Sequence, residues 1–152
     1  MDLTWLKALY EELLQGARAA GDKQMEARAL ATLSQFATDE GRNQVALDLV
    51  SDAYRLDREF GDPFEIANDL VYFARALAFA DRAVTAVRLV SLYEAMCEEL
   101  AVPPMSRIVK ISEEAIGRIR ERLDEAGFDD AWEQSRKLTA DEAFALVLES
   151  LE

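Results

Sequence analysis

Histidine does not occur among the 152 residues of this sequence, and cysteine occurs once, as Cys97. Without imidazole there is no Ser/His/Asp or Cys/His triad and no metal site that needs a histidine ligand. A single cysteine cannot form an internal disulfide, and no signal-peptide pattern is present, so a reducing cytoplasm is expected. Bases are scarce, 17 against 30 acids, giving a net charge of -13. A field of that sign repels nucleic-acid phosphates and anionic lipid, and no apolar run is long enough to span a bilayer. Proline and glycine number three and six, and the glycines never gather into a phosphate-binding loop. No cofactor is implied. A chain of this size, 51% hydrophobic and 31% charged, reads as one globular domain over residues 1–152.

What is present is helical periodicity. Leu3, Leu6, Tyr10, Leu13, Leu14 and Ala17 recur at helical spacing until Gly21-Asp22. A second helix carries Ala27, Leu30, Leu33, Ser34 and Ala37 and stops near Gly41. The third runs from about Asn43 to Phe60 with Ala46, Val50 and Ala53 inward. Gly61-Asp62-Pro63-Phe64-Glu65 then offers a cap glycine, an N-cap aspartate, a first-turn proline and a capping-box glutamate. The fourth helix buries Ile66, Ala67, Leu70, Phe73, Ala74 and Leu77. A fifth reaches Leu100, where Pro103-Pro104 forces a break. The sixth, about Ser106 to Ala126, uses Ile108, Ile111, Ala115, Ile119 and Leu123. Phe128 and Trp132, four apart, are expected to pack together on a short helix. Leu138-Thr139-x-x-Glu142 then opens a last helix with Ala143, Leu146, Val147 and Leu151 on its apolar face. The predicted class is all-α.

The breaks repeat. Gly21-Asp22 and Gly61-Asp62 stand 40 residues apart, with Ala101-Val102 at the next step. Ala27, Leu30, Leu33 and Ser34 match Ala67, Leu70, Phe73 and Ala74, while Ala46 and Val50 match Ala86 and Val90. Small residues at Ser34/Ala74 and Ala46/Ala86 let antiparallel helices approach closely. An ordinary bundle with helices of similar length would give some of these matches. The break residues and the small positions agree independently, which favours a solenoid. Its units are about 23–62 and 63–102, with a C-terminal unit and cap over 103–152. In that register helix 1–20 completes an upstream unit.

Leu30-x2-Leu33-Ser34-x2-Ala37, Leu70-x2-Phe73-Ala74-x2-Leu77, Ala46-x3-Val50-x2-Ala53 and Ala86-x3-Val90-x2-Tyr93 resemble the tetratricopeptide repeat. The period of 40 is longer than that family's about 34, and its signature tryptophan, glycine and tyrosine are missing, so the resemblance is to its divergent members. It implies a right-handed solenoid of helical hairpins with a C-terminal capping helix. The stretches Ala86 to Pro104 and Phe128 to Glu152 are similar to the helical region that closes LuxR-type bacterial transcriptional regulators and related nucleotide-binding signalling proteins. Ala131-Trp132, Arg136, Leu138-Thr139 and Asp141-Glu142-Ala143 carry that likeness, with Ser135 where a glycine is usual. The resemblance implies a non-catalytic scaffold that binds a protein or peptide partner, or upstream domains of the same polypeptide.

Side chains away from the apolar faces are the candidate sites. Arg28, Thr32, Gln35 and Asp39 on the second helix, and Asn68, Tyr72, Arg75 and Phe79 on the fourth, lie off those faces, and the tetratricopeptide resemblance implies that they line a partner-binding groove. On the first helix Trp5 and Leu9 lie beside the Leu6/Tyr10/Leu13 face and are expected to mediate self-association into a homodimer. Paired acids such as Glu11-Glu12, Glu98-Glu99, Glu113-Glu114 and Asp129-Asp130 read as solvated faces. Catalysis would need a buried carboxylate cluster, which the pattern does not suggest. Cys97 reads as an unreactive small core residue, and Met96 and Met105 as gap-fillers. Trp132 and Arg136 read as part of a C-terminal lid in preference to a ligand clamp. The alternative function is a small-molecule sensor that holds an effector with Arg28, Asn68 and Arg75.

Overall fold

The computed structural model describes residues 2–151, except the side chains of Ala140, Phe144, Val147, Ser150 and Leu151. Val147 and Leu151, expected on the last apolar face, therefore lie outside the described side chains. The described residues form eight α-helices and no sheet: α1 (Thr4–Ala20), α2 (Lys23–Asp39), α3 (Asn43–Phe60), α4 (Pro63–Phe79), α5 (Ala83–Leu100), α6 (Ser106–Arg120), α7 (Glu125–Ser135) and α8 (Ala140–Leu151). Two compact units divide the chain, Met1–Asp69 and Leu70–Glu152, with the boundary inside α4. In the first, α2 packs against both α1 and α3. In the second, α5 packs against α6, α7 and α8.

The 40-residue period is written in the backbone. Each bound of α2 falls 40 residues before the corresponding bound of α4, and α3 stands in the same relation to α5. Gly21, Gly61 and Ala101, spaced by that period, are all left-handed, with φ of 71°, 81° and 55°. Gly41 and Asp81 form a second such set at 75° and 60°. The next N–H turns back to close the helix end, from Asp22 to Ala17 O at 2.9 Å, Arg42 to Ala37 O at 2.8 Å, Arg82 to Leu77 O at 2.9 Å and Val102 to Cys97 O at 3.2 Å. These bonds satisfy carbonyls that a helix end leaves orphaned.

Side-chain caps fix the starts. Asp22 accepts from the Met25 N–H at 3.1 Å and Asp62 from the Phe64 N–H at 2.9 Å. Glu65, expected to complete a capping box, instead accepts from Arg28 at 3.2 Å. The capping box of α8 does form: Thr139 Oγ1 accepts from the Glu142 N–H at 3.1 Å, and Glu142 accepts from the Thr139 N–H at 3.2 Å. The sixth helix ends at Arg120, short of the expected Ala126. Asp124 is the reason, because its Oδ1 accepts from the Gly127 N–H at 2.8 Å and starts α7 there. Leu123 falls in the turn, half-buried.

The expected core residues of α2 and α3 are all buried, as are those of α4 except Ile66, which is half-buried. On α1 only Leu14 and Ala17 are buried, while Leu3 and Leu13 of its expected apolar face stay exposed. Met105, read as a gap-filler, is exposed at the start of α6. No helix among the described residues is long and apolar enough to cross a membrane.

Candidate functional site

The predicted groove residues part company. Arg28 is exposed and ion-paired with Glu65 at 3.2 Å; Asp39 is exposed; Thr32, Gln35 and Asn68 are half-buried. Tyr72 and Arg75 are buried, with 4% and 7% of their surface exposed, which corrects the expectation that the core does not need that face. At Arg75 the sixth helix is the partner, with Nε donating to Glu114 at 2.9 Å. Phe79, half-buried, lies under two guanidinium groups, Arg75 at 5.1 Å and Arg118 at 5.4 Å from its ring centre. Arg118 and Arg122 also reach Asp81, at 3.7 Å and 2.9 Å, and so tie the end of α6 to the left-handed turn between α4 and α5. These pairs hold the carboxyl of Asp81 below the usual aspartate range.

Trp132 and Arg136 both have partners within the fold. Trp132 stacks on Phe128 with ring centres 5.7 Å apart, its backbone carbonyl accepts from the Ser91 hydroxyl at 2.7 Å, and Arg136 donates to Glu98 at 2.6 Å. Arg120 lies 4.2 Å over the other ring, Phe128. Ser135, where the resemblance expects glycine, is fully buried and donates to Ala131 O at 2.7 Å inside α7.

Two features escaped the sequence. The first is a buried carboxyl pair, Asp57 on α3 and Asp69 on α4, hydrogen-bonded to each other. Burial pushes both carboxyls up, Asp69 well above the usual range, and nearby Glu65 adds like charge. Of the two, Asp69 is the carboxyl that keeps a proton to the higher pH, toward Asp57 through their hydrogen bond. Its Oδ2 is buried with no hydrogen-bond partner among the described residues, which a neutral acid tolerates far better than a charged one. The signal was register: Asp57 follows Val50 by seven and Ala53 by four, on the core stripe of α3. Both residues are buried, and no group of three or more metal-binding side chains exists among the described residues.

The second is a cavity of about 530 Å³ between α5, the α5–α6 loop and α6. Val102, Pro104, Val109 and Ile116 give it an apolar lining, with Glu94, Glu98 and Glu113 as its carboxylates. Cys97 also lines it, so this thiol is half-buried at a cavity wall and not the core residue expected. The phenol of Tyr93 meets Cys97 there and is pushed up, by burial first. Burial also raises the carboxyl of Glu94, against the pull of Arg136. Prolines in the loop were visible, but the hollow they leave depends on where α6 returns.

On α1, Trp5 and Leu9 are exposed, as expected, at 65% and 43%, together with Leu3 and Leu13. Beside them runs a shallow groove of about 290 Å³ lined by Leu9, Leu13, Gly16, Ala17, Ala20 and Met25 among others. Comparison with family models, curated proteins and solved structures gives no match for this chain.

Proposed function

We propose that the chain is a tetratricopeptide-like, right-handed solenoid of helical hairpins with a C-terminal cap. In this reading it works without turnover as a protein–protein interaction scaffold of a cytoplasmic bacterial signalling or transcription regulator. The observation that carries it is the 40-residue recurrence of helix bounds and left-handed turn residues. Such recurrence belongs to repeat architectures, whose role is to present surface. The surface assigned to association is the apolar edge of α1, and the occupant is a second copy. That edge carries both a projecting ring, Trp5, and a groove about three turns further on, at Gly16 and Ala20. Two copies of α1 paired antiparallel would seat each Trp5 in the other's groove, an isologous contact. Glycine inside a helix costs about 1 kcal/mol against alanine, yet a Cβ on Gly16 would meet nothing within 4 Å of its own chain. Close approach by another chain accounts for it.

The test uses Trp132→Phe, which leaves Trp5 as the sole tryptophan. Its emission is expected to shift to the blue as protein concentration rises, and Leu9→Glu is expected to abolish the shift. Emission independent of concentration would refute pairing through α1. A second reading, small-molecule sensing, is favoured by the α5–α6 cavity. That cavity takes the place of Arg28, Asn68 and Arg75 as the effector site, because Arg28 is engaged by Glu65 and Arg75 by Glu114.

A further inference from the structure

We infer that the cavity between α5 and α6 binds a small organic amine: an ammonium head held by Glu94 and Glu113, with an apolar body against Val102, Val109 and Ile116. The inference goes beyond the association reading and does not depend on it. Three observations lead there. The volume, about 530 Å³, lies inside the range of about 300–1,000 Å³ typical of small-molecule sites. The lining is mostly apolar, with Ser112 and three glutamates among it, which is the composition such sites have. Every charged side chain that lines it is a carboxylate.

The carboxylates are not equivalent. Glu98 is already neutralised by Arg136 at 2.6 Å. Glu94 is partly desolvated, which raises its carboxyl; Arg136 pulls it down more than Glu98 pushes it up, yet the burial cost prevails. A cation entering the cavity relieves that cost, and an anion adds to it. An uncharged ligand of the same shape gains only the apolar contacts. The head is expected to make charge-assisted hydrogen bonds from its N–H groups to the carboxylate oxygens. Tyr93, 3% exposed, closes the wall with its phenol beside Cys97, so the thiol sits where a ligand would shield it.

The probes are 4-phenylbutylammonium, 4-phenylbutanol and 4-phenylbutyrate, titrated calorimetrically into the full chain. The ammonium is expected to bind 1:1 at least about tenfold more tightly than the alcohol, and the carboxylate not at all. Glu94→Gln and Glu113→Gln, both surface-accessible and near-isosteric, are each expected to weaken the ammonium by about tenfold. Alkylation of Cys97 by iodoacetamide is expected to slow several-fold when the site is occupied. Glu11→Gln with Glu12→Gln, on α1 and outside the lining, controls for general attraction of cations to an acidic protein. Equal binding of the three probes, no binding, or equal weakening by the α1 substitutions would overturn the inference. So would unchanged alkylation of Cys97.

Discussion

The carboxyls of Asp57 and Asp69 are both raised inside the first unit, and that direction fixes the sign of their effect on stability. The charged groups acting on the pair are Glu65 and Asp62, which raise it, and Arg28, which lowers Asp57. A carboxyl whose folded value is raised binds its proton more tightly folded than unfolded. Its stabilisation is complete below the unfolded value, about 3.9, and is lost as pH rises through the folded value. Asp69→Asn removes the titrating proton, while the new amide still donates to Asp57. Its melting temperature is expected to match the wild type at pH 4 and to exceed it at pH 9. Equal differences at both pH values, read by circular dichroism, would deny the raised carboxyl. At Arg75, expected in a groove and found buried, the informative substitution is Arg75→Glu. With Arg75 buried against Glu114, that substitution places two carboxylates together and is expected to cost about 2–4 kcal/mol in urea unfolding. Glu114 is half exposed, which keeps the loss toward the lower end.

Among the elements, the turns make the clearest comparison, since glycine and alanine occupy the same backbone state one period apart. Ala101 adopts φ 55° where Gly61 adopts 81°. A Cβ in the left-handed region costs about 1 kcal/mol or more, and nothing crowds a Cβ on Gly61, so the conformational term stands alone. Ala101→Gly is expected to stabilise the chain by about 0.5–1 kcal/mol and Gly61→Ala to destabilise it by a similar amount. Opposite signs in chemical denaturation support the shared cap geometry; a loss from both would contradict it. This is also where the sequence was most legible. Helix bounds in the repeat, the Asp22 and Asp62 caps and the Thr139/Glu142 box are local, set by residues within one turn of each other. Burial of Arg75 is not local. It depends on α6 reaching Arg75 through Glu114, 39 residues on, and helical spacing within α4 carries no trace of it. The end of α6 was missed because Asp124 competes as a cap within an otherwise unbroken pattern of Ile119 and Leu123.

At the scale of the molecule, a net charge of -13 and the lack of histidine narrow the chemistry through composition alone, whereas the candidate sites depend on how distant residues meet. The α5–α6 cavity is walled by two helices and the loop between them, and the acidic pair forms where two helices meet at Asp57 and Asp69. The apolar edge of α1 is different. Trp5 and Leu9 were legible because a single helix carries them and too little of its surface is covered. The central claim is that the chain works by association through that edge. Sedimentation of the unmodified protein, 17.1 kDa, across micromolar to millimolar concentration tests it most directly. The expected result is concentration-dependent growth to about twice that mass, lost in Trp5→Glu with Leu9→Glu while helical circular dichroism is unchanged. A monomer throughout the range would contradict it.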